Sequence, residues 1–342
     1  MLITIFLITI LSSLLITMIL EKFFLKKNIF IDSPTITSVH KKPTPSAGGI
    51  SILISYLIFV CALVNYVLFD YDAFLVLLSA LIPIILIGLL DDYYSVSIYI
   101  RLFVQFFSST IIIYNFQTDT DVLNFQIFSE QSIIIIFIFS IILSIWLMNL
   151  YNFMDGIDGY ASSECIFVSF SASLIAYLNS SESLMYLYLA GIGAANVGFF
   201  IRNWYPAKIF MGDTGSVSIG CIFAFFIFYS ASESIISIYT WLILLSVFIA
   251  DASYTLAVRV VTKKNITKAH LTHAFHMLAS RKNSHKYVTK FLISINLFWV
   301  LPLALLSNAY MDYHVIITIL VYLPLLIYLI KIGAGLEEQG II

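Results

Sequence analysis

Charged residues are scarce in this chain: Asp, Glu, Lys and Arg make up only 11% of its 342 residues, whereas hydrophobic residues make up 61%. Soluble globular domains usually contain about 25% charged residues. The composition therefore excludes a soluble fold and indicates an integral membrane protein surrounded by the lipid bilayer. We expect no nucleic-acid partner.

Cysteine is also nearly absent. The chain has three cysteines, Cys61, Cys165 and Cys221, which lie in or beside apolar runs without CxxC or another metal-binding spacing. They predict small buried residues rather than a disulfide framework or a zinc site. Because the chain also lacks solenoid repeats, low-complexity tracts and linkers, we interpret residues 1–342 as one multi-pass domain.

Long apolar runs, in contrast, are abundant. Runs of roughly 17 to 25 residues can cross a hydrocarbon core of about 30 Å as helices, and we count about eleven, of which the fourth and eighth are shorter. The first run lacks the basic segment and cleavage site of a signal peptide, so we expect it to be retained. We predict an all-α membrane protein with spans at about residues 2–20, 49–69, 73–90, 102–116, 133–148, 160–178, 184–201, 216–229, 235–258, 291–306 and 315–332.

The basic residues are distributed asymmetrically around these runs. All 17 Lys and Arg lie at connections on one side of the membrane, and the opposite connections carry only acidic charges. The positive-inside rule therefore predicts an outside N-terminus and a cytoplasmic C-terminus. The predicted cytoplasmic segments are residues 21–48, 91–101, 149–160, 202–215 and 259–290.

Two adjacent carboxylates, Asp91 and Asp92, end the third run on the predicted cytoplasmic side. As neighbours on a helix they point in different directions, and negative charge at a helix C-terminus indicates a nearby cation. Such a pair can share Mg²⁺ or hold one proton between them. A solvated helix end is the simpler alternative.

The segment from Asn149 to Tyr160 places two amides, two carboxylates and two glycines between apolar runs. Asn152, Asp155 and Asp158 recur every three residues, so a helix would spread them over one face, with Asn149 extending the row. Glycine allows close approach of a ligand, and the side-chain oxygens suit a metal or sugar hydroxyls. An ordinary Asp-Gly turn is the alternative.

A further acid, Asp213, lies in Gly-Asp-Thr-Gly at the start of the eighth run. Free backbone N–H groups at a helix N-terminus favour anions, so a diphosphate and its metal would fit there. A capping role for Asp213 or Thr214 is compatible with this interpretation. Upstream, Asn203 adds an amide.

Histidines and lysines complete the set of polar clusters. His270, His273 and His276 follow one another in steps of three among basic residues, which predicts one helical face suited to phosphate or nucleotide. A zinc site and a basic surface facing anionic lipid are the alternatives. Before the second run, His40, Lys41 and Lys42 precede two prolines and two glycines, which predicts a rigidly held segment.

With these five segments in this order, the chain from about Asp32 to His276 resembles the polyprenyl-phosphate N-acetylhexosamine-1-phosphate transferases. That family includes phospho-MurNAc-pentapeptide translocase and the initiating enzymes of O-antigen and teichoic acid linkage synthesis. The resemblance implies an enzyme of the bacterial cytoplasmic membrane with its active site on the cytoplasmic face. It implies transfer of a sugar 1-phosphate from a UDP-N-acetylhexosamine to undecaprenyl phosphate, release of UMP and a requirement for Mg²⁺ or Mn²⁺. It leaves open whether the protein is a homodimer.

The resemblance also implies roles for individual residues. Asp91, Asp92, Asp155 and Asp158 would be catalytic, and Asp91 would act as a base or position the metal. The metal would be held by Asp213, Asn152 and Asp91. The substrate would be bound by His40, Lys41, Lys42, Asn149, Asn152, Asn203, His270 and His273.

The resemblance says less about the identity of the donor sugar. The segment from Ala269 to Phe275 is similar to the Ala-His-Arg-x-His-x-Tyr form of enzymes that use 6-deoxy-N-acetylhexosamines, but Leu271 and His276 stand where Arg and Gln are usual. Thr37 and Ser46 likewise stand where relatives often have Arg. We expect GlcNAc or a 6-deoxy-N-acetylhexosamine.

Two other classes were compared with this interpretation. A secondary transporter would place its polar residues near the middle of the membrane on broken helices, whereas the acids here lie at the ends of runs. A CDP-alcohol phosphotransferase would contain D-G-x-x-A-R followed by paired acids, which the chain lacks. A multi-pass transporter of an anionic substrate is the alternative that we keep.

Overall fold

The computed structural model describes residues 2–32, 43–64, 71–116, 132–265 and 270–336. Nearly all regular structure in these ranges is helical. The α-helices are α1 Leu2–Lys27, α2 Gly49–Val64, α3 Tyr71–Tyr94, α4 Ile98–Phe116, α5 Ser132–Phe153, α6 Tyr160–Asn179, α7 Met185–Asn203, α8 Gly212–Ser232, α9 Ile238–Leu244, α10 Ser246–Val261, α11 Ala274–Lys282, α12 His285–Ile295, α13 Leu301–Ala309 and α14 His314–Ile332.

Helix length and composition confirm the predicted class of helical membrane protein. In the described ranges nine helices are long and apolar enough to cross a membrane, and the bent pair α9 and α10 would make a tenth. Among the nine, α12 and α13 are joined through the π-helical segment Asn296–Val300 into one span. The shorter α2 is apolar along its 16 residues. The count of eleven spans and the orientation of the termini stay predictions.

The ninth predicted span, residues 235–258, is wrong as one straight helix. It is divided at Leu245, where α9 and α10 meet at 78°. Both halves contact α14, but α9 also packs against α13, whereas α10 also packs against α5 and α11. Hydropathy alone does not record a change of packing partner, so the bend was not predicted.

The buried centre of the bundle is α8. Every residue from Thr214 to Ala231 is buried, and the helix packs against α2, α3, α4 and α5. Glycine allows the closest approaches: a Cβ atom on Gly49 would lie 2.1 Å from the Cα of Gly215, and one on Gly88 would lie 2.7 Å from the Cα of Thr214. Small residues at such crossings bring the start of α2 and the end of α3 against the start of α8.

The segment before α2 is held as the sequence predicts, at least from residue 43 onwards. Strand β2, Thr44–Pro45, pairs antiparallel with strand β1, Ile31–Asp32. The Gly48 and Gly49 N–H groups donate to the Phe210 and Met211 carbonyls at 2.8 and 2.9 Å. These bonds fasten the entry to α2 onto the segment that leads into α8.

Cys165 and Cys221 are buried as predicted. Cys61, however, is exposed, so its predicted burial is wrong. It lies on an exposed face of α2, and an apolar run does not reveal which of its faces is packed.

Candidate active site

Five aspartates lie at the ends of four helices on one side of the bundle. Asp91 and Asp92 lie in the last turn of α3, Asp155 and Asp158 lie in the turn between α5 and α6, and Asp213 lies in the first turn of α8. Because α8 packs directly against α3 and α5, sequence-distant acids come together around its N-terminus.

Asp92 binds the backbone at the start of α8. Its Oδ1 accepts a hydrogen bond from the Asp213 N–H at 2.8 Å, and its Oδ2 accepts from the Thr214 N–H at 3.0 Å and from the Thr214 hydroxyl at 2.5 Å. A carboxylate at this place satisfies helix N–H groups that would otherwise lack partners and interacts favourably with the helix dipole. Asp92 therefore caps α8 from a neighbouring helix.

Asp91 points elsewhere, as expected for adjacent residues on a helix. Its Oδ1 accepts from the Val96 N–H at 2.5 Å, and its Oδ2 lies 2.5 Å from Nη1 of Arg101 on α4. The same nitrogen lies 2.9 Å from Oδ2 of Asp213. The cation that the sequence indicated beside the acid pair is thus Arg101, which bridges Asp91 and Asp213.

Asp155 lies close to this cluster, and the Gly212 N–H donates a hydrogen bond to its carboxylate. Burial raises the pKa of Asp155 well above its usual range, and the negative charges of Asp213 and Asp92 raise it further. Several carboxyl groups are therefore crowded around the N-terminus of α8, where a divalent cation would relieve their mutual repulsion.

The predicted helical row of Asn152, Asp155 and Asp158 is wrong, because α5 ends at Phe153 and the next residues form a turn that places Gly159 at a φ of +71°. Asn152, still on α5, donates from Nδ2 to Asp213 Oδ1 at 2.8 Å and to Ser216 Oγ at 3.1 Å. Its amide therefore joins α5 to the aspartate expected to bind metal.

Asn149 lies one turn earlier and faces a different helix. Its Nδ2 donates to the Gln105 Oε1 of α4 at 2.6 Å and to the Ile145 carbonyl at 2.8 Å. Gln105 is itself buried. The contacts of Asn149 are thus to a neighbouring helix, and the substrate-binding role implied for it stays a prediction.

Asp158 and Asn203 fasten the segment between α7 and α8. Asp158 Oδ2 accepts from the Ala207 N–H at 2.9 Å, and its Oδ1 lies 3.3 Å from Nδ1 of His285. Asn203 Oδ1 accepts from the Gly159 N–H at 3.1 Å, while its Nδ2 donates to the Ile209 carbonyl at 3.0 Å. These contacts position the backbone that leads to Gly212.

The three histidines do not lie on one helical face, so that prediction is wrong. Helix α11 begins at Ala274, and His270 and His273 precede it in irregular structure. The reason is the buried Asp251 of α10, which accepts from the Ala274 N–H at 3.0 Å and the Phe275 N–H at 3.2 Å. Asp251 caps α11 there, and its Oδ1 also lies 3.3 Å from His273 Nδ1.

Aromatic stacking joins the histidine segment to the turn after α5. The Phe275 ring stacks on Tyr160 with centroids 4.8 Å apart, and Tyr160 stacks on Phe248 at 5.4 Å. The neighbouring His276 covers Gly156, where an added Cβ would lie 2.5 Å from its Cε1 and Nε2 atoms. The structure thereby places His276 against Gly156, the residue that follows Asp155.

The histidine rings nearest this turn are uncharged at neutral pH. Burial lowers the pKa of His276 to about 3, and that of His270 to about 4, with the charge of His273 adding to both shifts. Their contribution to a site at neutral pH is therefore hydrogen bonding and stacking rather than a positive charge. His40, Lys41 and Lys42, which were expected to face phosphate, lie outside the described residues.

The donor set around Asp213 fits a hard divalent cation. Carboxylate and amide oxygens are the ligands that Mg²⁺ prefers, and Mg²⁺ usually takes only one or two protein carboxylates together with substrate phosphates. Within the described ranges, no group of three or more His, Cys, Asp or Glu side chains could hold a metal ion. Asp213 and Asn152 are the side chains that would contribute to such an ion's coordination, with phosphate oxygens of a substrate as the further ligands.

Sequence reasoning missed two residues that organise the site. Arg101 was read only as a marker of membrane orientation, although an arginine at the start of an apolar helix nine residues beyond an acid pair suggests an ion pair. Asp251 was not singled out, although an acid inside an apolar run requires buried partners. Both signals are visible in the sequence.

The fold and the site define a polytopic membrane protein with an acid-lined centre at one end of its helix bundle. The family model described as glycosyl transferase family 4 matches residues 74–231. These residues extend from α3 to α8 and contain the five aspartates.

Curated relatives match over most of the chain. A probable undecaprenyl-phosphate N-acetylglucosaminyl 1-phosphate transferase of Bacillus subtilis is 28% identical over 301 residues, which cover 85% of this chain and 82% of the relative. A phospho-N-acetylmuramoyl-pentapeptide-transferase of Prochlorococcus marinus is 30% identical over 275 residues, or 74% and 73% of the two chains. One of Borrelia turicatae is 28% identical over 296 residues, or 76% and 81%. The chain belongs to glycosyl transferase family 4.

Proposed function

We propose that this protein transfers an N-acetylhexosamine 1-phosphate from a UDP-sugar to undecaprenyl phosphate and releases UMP. The donor would carry GlcNAc or a 6-deoxy-N-acetylhexosamine, and the product would begin a cell-surface glycan such as O-antigen or a related polymer. The observation that carries the proposal is the convergence of Asp91, Asp155 and Asp213 with Arg101 around the N-terminus of α8. The names of the relatives support the reaction class.

In the proposed reaction, an oxygen of the lipid phosphate attacks the β-phosphorus of the UDP-sugar. A bond forms between that oxygen and the β-phosphorus, the bond from the β-phosphorus to the bridging oxygen breaks, and UMP leaves with the bridging oxygen. The second pKa of a phosphate monoester is near 6, so the attacking oxygen is largely ionised at neutral pH. A strong base is therefore not obligatory, and positioning and charge neutralisation have the larger effects.

The site residues would differ in their contribution to positioning and charge neutralisation according to where they lie. A bound Mg²⁺ or Mn²⁺ would supply positive charge to the diphosphate, and Asp213, Asn152 and Asp91 are the side chains proposed to hold it. Asp92 keeps the start of α8 in place, and Asp158 and Asn203 hold the segment before it. The raised pKa of Asp155, caused by burial and by the neighbouring carboxylates, favours the protonated form of its carboxyl group.

The experiment is a transfer assay with membranes that contain the protein. Undecaprenyl phosphate and a panel of UDP-N-acetylhexosamines are supplied with Mg²⁺, and both UMP and the lipid-linked sugar phosphate are measured. We expect stoichiometric UMP release with at least one donor, and loss of release in Asp213→Ala. Wild-type turnover by Asp213→Ala at saturating Mg²⁺ would remove the metal role of this residue.

The same assay separates transfer from transport. A transporter of an anionic substrate would move the nucleotide sugar into vesicles without releasing UMP. The acids lie at helix ends rather than at the middle of the bundle, which favours transfer. Uptake of intact UDP-sugar without formation of a lipid-linked product would favour transport over transfer.

A further inference from the structure

Arg101 occupies a central position among the acids. Its Nη1 atom lies 2.5 Å from Asp91 Oδ2 and 2.9 Å from Asp213 Oδ2, so one nitrogen bridges carboxylates from α3 and α8. The Asp91 side chain is 8% exposed, whereas those of Arg101 and Asp213 are 32% and 29% exposed. A ligand can therefore approach the Asp213 side of the bridge more easily than the Asp91 side.

The bridge uses the same carboxylate that the proposed function gives to the metal. Asp213 Oδ1 already accepts from Asn152, and Oδ2 is in contact with Arg101. A divalent cation on Oδ2 would lie beside the guanidinium group, where two like charges repel strongly because the surroundings are only partly solvated. Arg101 must move away from Asp213 before a metal can bind there at full contact.

We propose that Arg101 is a built-in counter-cation that keeps free metal out of the site until the donor arrives. In the protein without substrate, Arg101 neutralises Asp213 and lowers its affinity for a divalent cation. The diphosphate of the donor then offers oxygen atoms to the metal and to the guanidinium group at the same time, since arginine binds phosphate through paired hydrogen bonds. The proposal rests on the proposed function for the identity of metal and donor.

This exchange makes the binding of metal and donor interdependent. Each would raise the affinity of the other by the same factor, as thermodynamic linkage requires. Arg101 therefore favours entry of the metal together with the nucleotide sugar over entry of the metal alone.

The test measures metal binding without any nucleotide. Purified full-length protein in lipid nanodiscs is titrated with MnCl₂, and bound Mn²⁺ is obtained from the loss of the free-ion EPR signal. We expect Arg101→Met to bind Mn²⁺ at least tenfold more tightly than wild type, since it removes one positive charge from the ion's immediate surroundings. Arg101→Lys, which keeps the charge, is expected to stay within about threefold of wild type.

Two controls give the result its meaning. Arg202→Met makes the same change at an arginine whose ion pair is with Glu21 rather than with any of the five aspartates of the site, so its Mn²⁺ affinity should equal that of wild type. Adding Asp213→Asn to Arg101→Met should abolish the tight binding. If the methionine variant misfolds, Arg101→Gln, which keeps a hydrogen-bond donor but carries no charge, should show the same tightening.

The inference is overturned if the folded neutral variant binds Mn²⁺ no more tightly than wild type, or does not bind it. A purely structural role for Arg101 predicts weaker binding, because loss of the bridge would loosen the acids. The proposed function is decided separately by UMP release from wild-type protein at saturating Mg²⁺. If Arg101→Met binds Mn²⁺ tightly but the wild-type protein releases no UMP, the role proposed for Arg101 would stand and the proposed transferase function would be rejected.

Discussion

The carboxylate of Asp92 accepts hydrogen bonds from both the backbone N–H and the hydroxyl of Thr214, at 3.0 and 2.5 Å. An acid at the end of one helix thus caps the start of the next helix in space, although 122 positions separate the two residues. The cap also sets the position of Asp213, the residue before Thr214 on α8, whose N–H donates to the same carboxylate. Asp91 and Asp92 are adjacent in sequence and have different partners.

A structural cap predicts how Asp92→Ala behaves. The variant leaves the N–H groups of Asp213 and Thr214 without their acceptor, so we expect a loss of about 1 to 2 kcal/mol in stability, the usual cost of removing a cap. Thermal unfolding in detergent measures this, and UMP release measures the accompanying displacement of Asp213.

Asp92→Asn is the informative partner of that variant. It keeps one oxygen acceptor in nearly the same place, so stability and turnover should both fall by less than in Asp92→Ala. Complete loss of turnover with unchanged thermal stability in Asp92→Asn would instead assign Asp92 to the chemistry itself.

Close packing of α2 on α8 gives a second prediction, at Gly49. A Cβ atom there would lie 2.1 Å from the backbone of Gly215, so Gly49→Ala must push the two helices apart. Overpacking of this kind usually costs about 1 to 3 kcal/mol, and we expect the upper end because the contact is backbone rather than side chain. Yield of folded protein and thermal stability are the measurements.

Gly193→Ala is a matched control in another helix. Its nearest added contacts would be side-chain atoms of Ser169 and Phe170 at 3.1 and 3.2 Å, which can shift by a few tenths of an ångström. Equal destabilisation by both substitutions would show that the approach of α2 to α8 does not depend on glycine.

The class of the fold could be predicted because the bilayer requires long apolar helices, and most helix positions follow from where those runs lie. The bend at Leu245 could not be predicted, because the two halves form one continuous apolar run and hydropathy does not show that their packing partners differ. The exposed face of Cys61 was missed for the same reason, since an apolar run does not show which of its faces is packed.

The site was predictable as a set of residues but not as an arrangement. Asp91, Asp155 and Asp213 were found from their positions at the ends of apolar runs. Their connection through Arg101 and the N-terminus of α8 depends on which helices are neighbours, and spacing within one segment carries no such information. The helical rows expected from three-residue spacing failed because α5 ends before Asp155, and because α11 begins only at Ala274, where Asp251 caps it.

The lowered pKa of His276 predicts an acid-sensitive fold. The ring has a pKa of about 3 in the folded protein and about 6.5 when unfolded, so the unfolded chain binds the additional proton between these values. The stability that the neutral ring provides is present above about pH 6.5 and is lost progressively as the pH falls below it. We expect the unfolding temperature to drop by a few degrees, roughly, between pH 7 and pH 5.

His276→Gln tests that assignment. Glutamine keeps a hydrogen-bonding group of similar size over Gly156 and does not titrate, so the variant should lose less stability than wild type over the same pH interval. Unfolding temperatures at pH 7 and pH 5 in the same nanodiscs give the comparison. An equal drop in both proteins would assign the acid sensitivity to other groups.

The end of α14 holds the histidine segment in place. The Gly335 N–H donates to the Thr272 carbonyl at 2.9 Å, and Arg281 donates to the Ile332 carbonyl at 2.8 Å. Gly335 has a φ of +81°, and an added Cβ would lie 2.8 Å from the Cβ of Val258. The turn after α14 therefore joins α10 to the segment around Thr272. His270 and His273 lie on either side of Thr272 in this segment.

Gly335→Ala should consequently impair donor binding more than catalysis. The substitution disturbs the bond to Thr272, and with it the positions of His270 and His273, so we expect the KM for the UDP-sugar to rise about three- to tenfold, as for a loss of about 1 kcal/mol in binding. The KM for undecaprenyl phosphate and kcat should change less.

Gly333→Ala separates packing from backbone strain, because Gly333 has a similar φ of +78° but no atom within 4 Å of an added Cβ. If Gly333→Ala raises the donor KM as much as Gly335→Ala does, backbone strain in the turn explains the effect and the close contacts with Val258 and the Thr255 carbonyl do not.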